Sequence, residues 1–499
     1  MKKYLKFIPF LFTIIIRIPD FFQPYWYTDT GIYSSIGQSL NHRGVLYKNI
    51  IDNKPLLIYY VYAYLEKIPI SLMYSTQAVS LLLALGTEFL IYKIANLKFN
   101  YKISLLSCSV FAILVGSNIL HSNGANVETF FMFFAALSVY IYFLKEYSYK
   151  YIYIAGLILG LGVLFKVSVL FDGFFLILYI FFSYKFGDFF KRVFLYSLGV
   201  ITPVIFFLLY ELSIGNLYNT IKYTFLNNFS YVAKFNKFAG ISFVDINIII
   251  FILLVSITYY FYKKGNLTSG SIFLILWTLS DAFITVLTGR PYVHYILQLA
   301  LPLSFLFGYS IYSLFYMPHI KRFATIVMII IFSTLYFMYF FRNQLSWQTY
   351  DNFSNTIPFY TNFISYADGK ISKQSYYDLF LYNTNVVFEK NISTANINYK
   401  MANLVNSANV QNKDIFLAAN FPWVYYMTNS YSTYYYTTDF LYGYSDKIKT
   451  RTLNALKKHH PYAILYYNDG FSFPGFFTFL NKHYYLYKSE DGGQLYKLK

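Results

Sequence analysis

Long apolar runs separated by short polar connectors fill the chain up to about residue 341, after which the pattern changes. A run of about 17 to 25 apolar residues is long enough to cross a bilayer as a helix, the conformation that pairs all backbone groups within one segment. Such runs lie near 5–22, 73–92, 103–120, 129–145, 151–165, 168–184, 193–212, 243–262, 271–288, 293–316 and 323–341. The pattern predicts about eleven transmembrane helices. The opening MKKYLKFIPFLFTIIIRIPDFF has the basic end and apolar core of a signal peptide but no small-residue cleavage site. It reads as an uncleaved first span.

From residue 342 onward the chain is polar, rich in Asn and Ser, and built of short patterned segments. DIFLAAN (414–420) and YAILYYND (462–469) read as buried strands, and RTLNALKKHHP (451–461) as a helix stopped by proline. YYLYKSEDGGQLYKL predicts a closing hairpin with a Gly-Gly turn. Strand, helix and strand in that order predict a small α/β domain. The expected division is 1–341, a transmembrane domain with interfacial helices at 29–70, and 342–499, the α/β domain. YYMTNSYSTYYY (425–436) has the rings to stack on sugars, although β-propensity in a tyrosine-rich chain explains it as well.

Charge fixes the orientation. With Lys2, Lys3 and Lys6 inside, alternate crossings put Lys93, Lys98 and Lys102 on the same side, then Lys145 and Lys150, then Lys185, Lys191 and Arg192. Lys263 and Lys264, and then Lys321 and Arg322, follow on that side. The other side receives 25–72, 121–128, 214–240, 289–292 and everything after Arg342. One missed span would scramble this sorting, so count and orientation support each other. The chain is expected to be a multi-pass plasma-membrane protein, surrounded by lipid, with its C-terminal domain extracytoplasmic.

Composition agrees: 57% of residues are hydrophobic and 12% charged, where a soluble domain carries about twice that charged fraction. The formal net charge of +18 sits in the connectors rather than in a basic stripe or recognition motif, so nucleic acid is not an expected partner. With 57 Tyr and 55 Phe, a single aromatic residue says little. The one cysteine, Cys108, lies inside an apolar run and allows no intrachain disulfide.

Chemistry concentrates in YWYTDTGIYSSIGQSLNHRGVLYKNIIDNKPL, residues 25–56. Ile32, Ile36 and Leu40 recur every fourth residue, which predicts a short helix along the membrane surface with Asp29 at or just before its N-cap. Capping alone accounts for Asp29, and capping is compatible with catalysis. In IIDNKPLL, Pro55 bars the helical region to Lys54 and suits a helix start itself, so Lys54 is expected at a fixed bend. A snorkelling interface lysine is the plainer alternative. Glu128, in HSNGANVETF, lies at the outer start of a span, where the helix dipole favours a carboxylate. Asp172 and Asp281 fall in apolar context and are read as structurally paired. No cluster has metal-ligand spacing.

An acid after the first span, a tyrosine four residues on, and a later D-x-K-P-L segment resemble the first extracytoplasmic loop of the GT-C glycosyltransferase superfamily. Within it, the dolichyl-phosphate-mannose protein mannosyltransferases and the bacterial lipid A aminoarabinose transferases are the most similar groups. Asp29, Tyr33, Asp52, Lys54, Pro55 and Leu56 carry the match. It continues through N-x-E-x-F at Asn126 to Phe130, GLGVLFKVS around Lys166, GRPYVHYILQLALPLSFLFG at 289–308 and PYAILYY at 461–467. The chain departs where many relatives have two adjacent acids, since it has Asp29-Thr30, and where many have Lys-Pro-Pro, since it has Lys54-Pro55-Leu56. The first departure leaves substrate and divalent-metal dependence open, and no cofactor is required by the residues themselves.

The resemblance implies a GT-C fold and transfer of a hexosyl or pentosyl group from a polyprenyl-phosphate donor to an envelope hydroxyl on a lipid, glycan or protein. Inverting transfer needs one carboxylate to take the acceptor's proton and cations to hold the departing phosphate. Asp29 is the expected general base. Lys54, Arg290 and His294, with Lys166 as a further basic group, are expected at the donor phosphate. His294 lies four residues after Arg290, on one helix face. Glu128, Tyr33 and Asp52 are expected to bind acceptor or sugar. The rival reading is a transporter or flippase of lipid-linked sugars or polysaccharide, which would use midplane polar groups and inverted repeats that the sequence does not display. A noncatalytic membrane scaffold is a third.

Overall fold

The computed structural model describes residues 2–145, 148–228, 237–238, 241–265, 267–287, 293–316, 347–380, 394–438, 446–467 and 473–499. The predicted run at 323–341 lies outside them. Every other apolar run coincides with a helix. The first is a short helix, Ile8–Ile16, followed by a 3-10 turn at Ile18–Phe22.

Leu72–Lys98, Val127–Leu144 and Phe186–Ser213 are long and apolar enough to cross a membrane. Tyr101–Gly116, Tyr149–Val163, Val167–Ser183, Ile248–Lys263, Ser269–Thr285 and Ala300–Tyr316 are apolar but shorter. Sequence runs overstate some of these lengths because apolar residues continue past the helix ends into short 3-10 segments such as Val293–Leu297.

The chain forms two compact units. One comprises Met1–Ile18, Ala78–Gly215 and Leu226–Thr356 and contains the long apolar helices. In bilayer-like surroundings close packing rather than water exclusion holds helices together, and small residues permit it. Tyr149–Val163 packs on Phe186–Ser213 in this way. A Cβ on Gly156 would lie 2.1 Å from the Tyr196 carbonyl oxygen. Asp172 accepts hydrogen bonds from Trp277 Nε1 at 3.0 Å and Gln298 Nε2 at 2.9 Å, and Asp281 is its neighbour, as structural pairing predicts.

The other unit comprises Pro19–Gln77, Asn216–Phe225 and Ile357–Lys499. Its four-stranded sheet has Ile415–Ala418 parallel to Ala463–Tyr467, then Gly493–Leu498 and Tyr484–Glu490 antiparallel. Ile415, Leu417, Ala463, Leu465 and Leu495 point into one apolar core with Met401 and Val405 of the helix Thr394–Asn406. The predicted strands and hairpin are present, and the proline-stopped helix runs Asp446–Lys458. The hairpin turns at Asp491 and Gly492, both at positive φ, and Gly493 begins the strand. An Asp-Gly pair suits that mirror-image turn. Tyr425, Tyr431 and Tyr434 are buried rather than offered to sugars.

Candidate active site

The first-loop helix runs Thr28–His42 with Tyr27 at the N-cap, which makes no side-chain cap bond. Asp29 is therefore the helix's second residue rather than its cap. Its carboxylate meets the positive end of the helix dipole from within the first turn. The helix start is fixed from outside, where Trp423 Nε1 donates to the Tyr27 carbonyl at 2.8 Å. The second helix, Leu57–Leu65, packs against it at Gly37, where a Cβ would fall 2.8 Å from the Ala63 nitrogen.

Between the helices, Asn53 and Lys54 form the bend that Pro55 predicts. The Lys54 ammonium lies 3.8 Å from Asp52 and 5.1 Å from the centre of the Tyr33 ring. Asp52, 3% exposed, also accepts from Tyr59 Oη at 2.6 Å and from the Asn53 amide at 2.8 Å. Tyr47 Oη donates to the Lys54 carbonyl at 2.8 Å. Tyr33 is fully buried, edge-on to Tyr59 and Tyr62. Three of the expected residues, Tyr33, Asp52 and Lys54, are thus one packed cluster. Burial and the Asp52 charge push the Tyr59 phenol up, so it stays a donor.

Behind Asp29 the helices hold a second acid. Burial, and then the charges of Asp29 and Glu66, raise the Tyr62 phenol. Glu66 accepts from Ser34 Oγ at 2.8 Å and from Asn41 Nδ2 at 3.5 Å. Burial nonetheless raises its carboxyl to about 8.

In the other unit Glu128 sits in the first turn of Val127–Leu144, 1% exposed, in an ion pair with Lys166. The Lys166 ammonium lies 4.3 Å from the centre of the Tyr295 ring, and His294 stands edge-on to that ring at 4.6 Å. The preceding loop is buried rather than exposed: Ser122, Asn123 and Asn126 are inaccessible. His121 and Ala125 adopt left-handed backbone, a strain that concentrates at functional sites. His294 belongs to the 3-10 helix Val293–Leu297. Arg290 lies outside the described residues, so its pairing with His294 does too. Among the described residues, no three His, Cys, Asp or Glu side chains are grouped to hold a metal ion.

Residues 53–210 match the model of the dolichyl-phosphate-mannose-protein mannosyltransferase family. The structure is similar to that of ArnT from Cupriavidus metallidurans bound to undecaprenyl phosphate, with a TM-score of 0.58 and 10% identity over 97% of both chains. The chain has the GT-C glycosyltransferase fold. An Archaeoglobus fulgidus oligosaccharyltransferase, in complex with Zn and sulfate, aligns over 99% of this chain and 73% of its own, with a TM-score of 0.44 and 12% identity. No curated protein sequence matches the chain. The mannosyltransferase match begins at Asn53, so it takes in the bend at Lys54, Glu128 and Lys166 of the GT-C fold and leaves Asp29 before its start.

Sequence reasoning missed Tyr59, Tyr47, Tyr62, Glu66 and Tyr295. The first three were hidden by the abundance of tyrosine. Glu66 carried a usable signal, an acid one residue past an apolar interfacial run.

Proposed function

We propose that the chain transfers a sugar from a polyprenyl-phosphate donor to an envelope hydroxyl at the extracytoplasmic face, with inversion at the anomeric carbon. Asp29 takes the proton of the acceptor hydroxyl as the hydroxyl oxygen attacks the anomeric carbon, and the electrons of the bond between that carbon and the phosphate oxygen leave with the phosphate. No strong general acid is needed, because the phosphate is already a stable leaving group.

Lys54 is assigned to the donor phosphate, together with Arg290 and His294. The observation that carries this is the Lys54 cluster, with its ammonium held by an aromatic face and a buried carboxylate. A pre-positioned cation of this kind stabilises developing charge without reorganising. Asp52 and Tyr33 serve the sugar through Lys54, whose position they fix. Glu128, tied to Lys166, is assigned to acceptor or sugar placement. The charge pattern of the connectors assigns Asp29, Lys54 and Glu128 to the external side. The likeness of fold to a protein solved with undecaprenyl phosphate supports the donor class.

The test is transfer of label from a set of polyprenyl-phosphate sugars to envelope extract by the purified protein in nanodiscs. A labelled product that grows with time is expected. Movement of lipid-linked sugar across proteoliposomes, with no product from any donor, would replace this reading with the flippase.

A further inference from the structure

Three cations from two distant segments gather in the unit that contains the first loop. Lys222 opens a π-helical turn, Lys222–Leu226, and Lys447 and Arg451 belong to the helix Asp446–Lys458. Single π turns recur at functional sites. Arg451 Nη1 donates to Tyr223 Oη at 3.3 Å, and its guanidinium lies 4.9 Å from the centre of the Tyr435 ring. The Lys222 ammonium is 5.3 Å from the centre of the Tyr223 ring.

Among the described residues no carboxylate forms an ion pair with any of the three, although Lys449 on the same helix meets Asp446 at 3.1 Å. Burial, and then the charges of Lys447 and Arg451, lower the Lys222 pKa. Like charges held together by a fold cost free energy, and a bound anion offsets that cost. The guanidinium's planar fork fits two oxygens of one phosphate, and two ammonium groups supply further donors.

The cluster is connected to the Lys54 loop. The Tyr435 amide donates to the Asn49 carbonyl, and the Ile51 amide to the Tyr435 carbonyl, each at 2.7 Å. Asn216 Nδ2 donates to the Leu46 carbonyl at 2.8 Å, tying in the segment that carries Lys222. The charges of both Asp52 and Arg451 act on the next residue, Tyr436.

We propose that Lys222, Lys447 and Arg451 bind a phosphate group of the acceptor, an assignment that rests on the glycosyltransferase reading above. The donor's own phosphate is taken by Lys54, so the two anions occupy separate cations.

The full-length protein carrying Lys54→Gln, in zwitterionic nanodiscs, is titrated with inorganic pyrophosphate and followed by thermal shift. Saturable binding is expected, about tenfold weaker with Arg451→Gln or Lys222→Gln. Lys447 is exposed, so Lys447→Gln tests the site without disturbing the fold and is expected to weaken binding as well. Phosphatidic acid in the nanodisc competes with pyrophosphate when the natural phosphate is a lipid headgroup, and does not when a soluble glycan carries it. Absence of saturable binding, or equal affinity in all three variants, overturns the proposal. Pyrophosphate binding without sugar transfer from any donor would count against the glycosyltransferase reading and leave the anion site standing.

Discussion

Tyr59 donates a 2.6 Å hydrogen bond to Asp52, on the carboxylate oxygen that also faces the Lys54 ammonium at 3.8 Å. The phenol and the lysine therefore share one oxygen of Asp52. Tyr59→Phe should let Lys54 close on Asp52 and withdraw from the donor. The expected result is a rise in KM for the lipid-linked sugar of about three- to tenfold, consistent with loss of a charge-assisted hydrogen bond, with a smaller change in kcat. Steady-state kinetics at varied donor checks it.

Glu128 is buried and its partner Lys166 partly so, and removing the lysine leaves the buried carboxylate alone, at a cost of up to about 3–5 kcal/mol. Lys166→Met should lower the unfolding temperature more than the double variant Lys166→Met/Glu128→Gln does. Additive losses in a double-mutant cycle would show that the two side chains are not coupled.

The Glu66 carboxyl ionises at about 8 in the folded protein against 4.5 in the reference state. The unfolded chain thus loses this proton first as pH rises. The stability that Glu66 contributes is complete below about pH 4.5, falls between 4.5 and 8, and is gone above 8. Melting temperatures of the wild type and Glu66→Gln, measured across that range, should diverge in favour of the variant as pH rises. Parallel profiles would mean that Glu66 is ionised in the folded state.

Gly37→Ala tests how the two first-loop helices meet. Alanine normally stabilises a helix interior by up to about 1 kcal/mol over glycine. Here its Cβ would fall 2.8 Å from the Ala63 nitrogen, so a loss of about 1–3 kcal/mol is expected instead. Denaturant unfolding of the two proteins gives the sign directly.

The local elements were legible because each is written in adjacent residues. Pro55 announces the bend at Lys54, and the strands around Ile415 and Ala463 are short apolar runs between polar ones. What the sequence could not display is pairing between distant positions. Lys166 lies 38 residues from Glu128, and Arg451 lies 228 from its partner Tyr223. Nor does the sequence display burial where polar residues face protein instead of water, as at Asn123 and Asn126 in the loop before Glu128. The helix begins two or three residues earlier than an Asp29 at or just before the N-cap requires, because Tyr27, a poor capping residue, begins it with its end held by Trp423.

In the proposed reaction Asp29 takes the acceptor's proton, and Asp29→Asn removes that capacity. The variant keeps the size and shape of the side chain and loses its charge, which at a helix start costs about 0.3–1 kcal/mol, so the fold and donor binding should persist. With labelled polyprenyl-phosphate sugar and envelope extract, sugar transfer should fall by at least about 100-fold, the lower range for loss of a general base. Transfer within a few-fold of wild type would contradict the assignment and require another group to accept the proton.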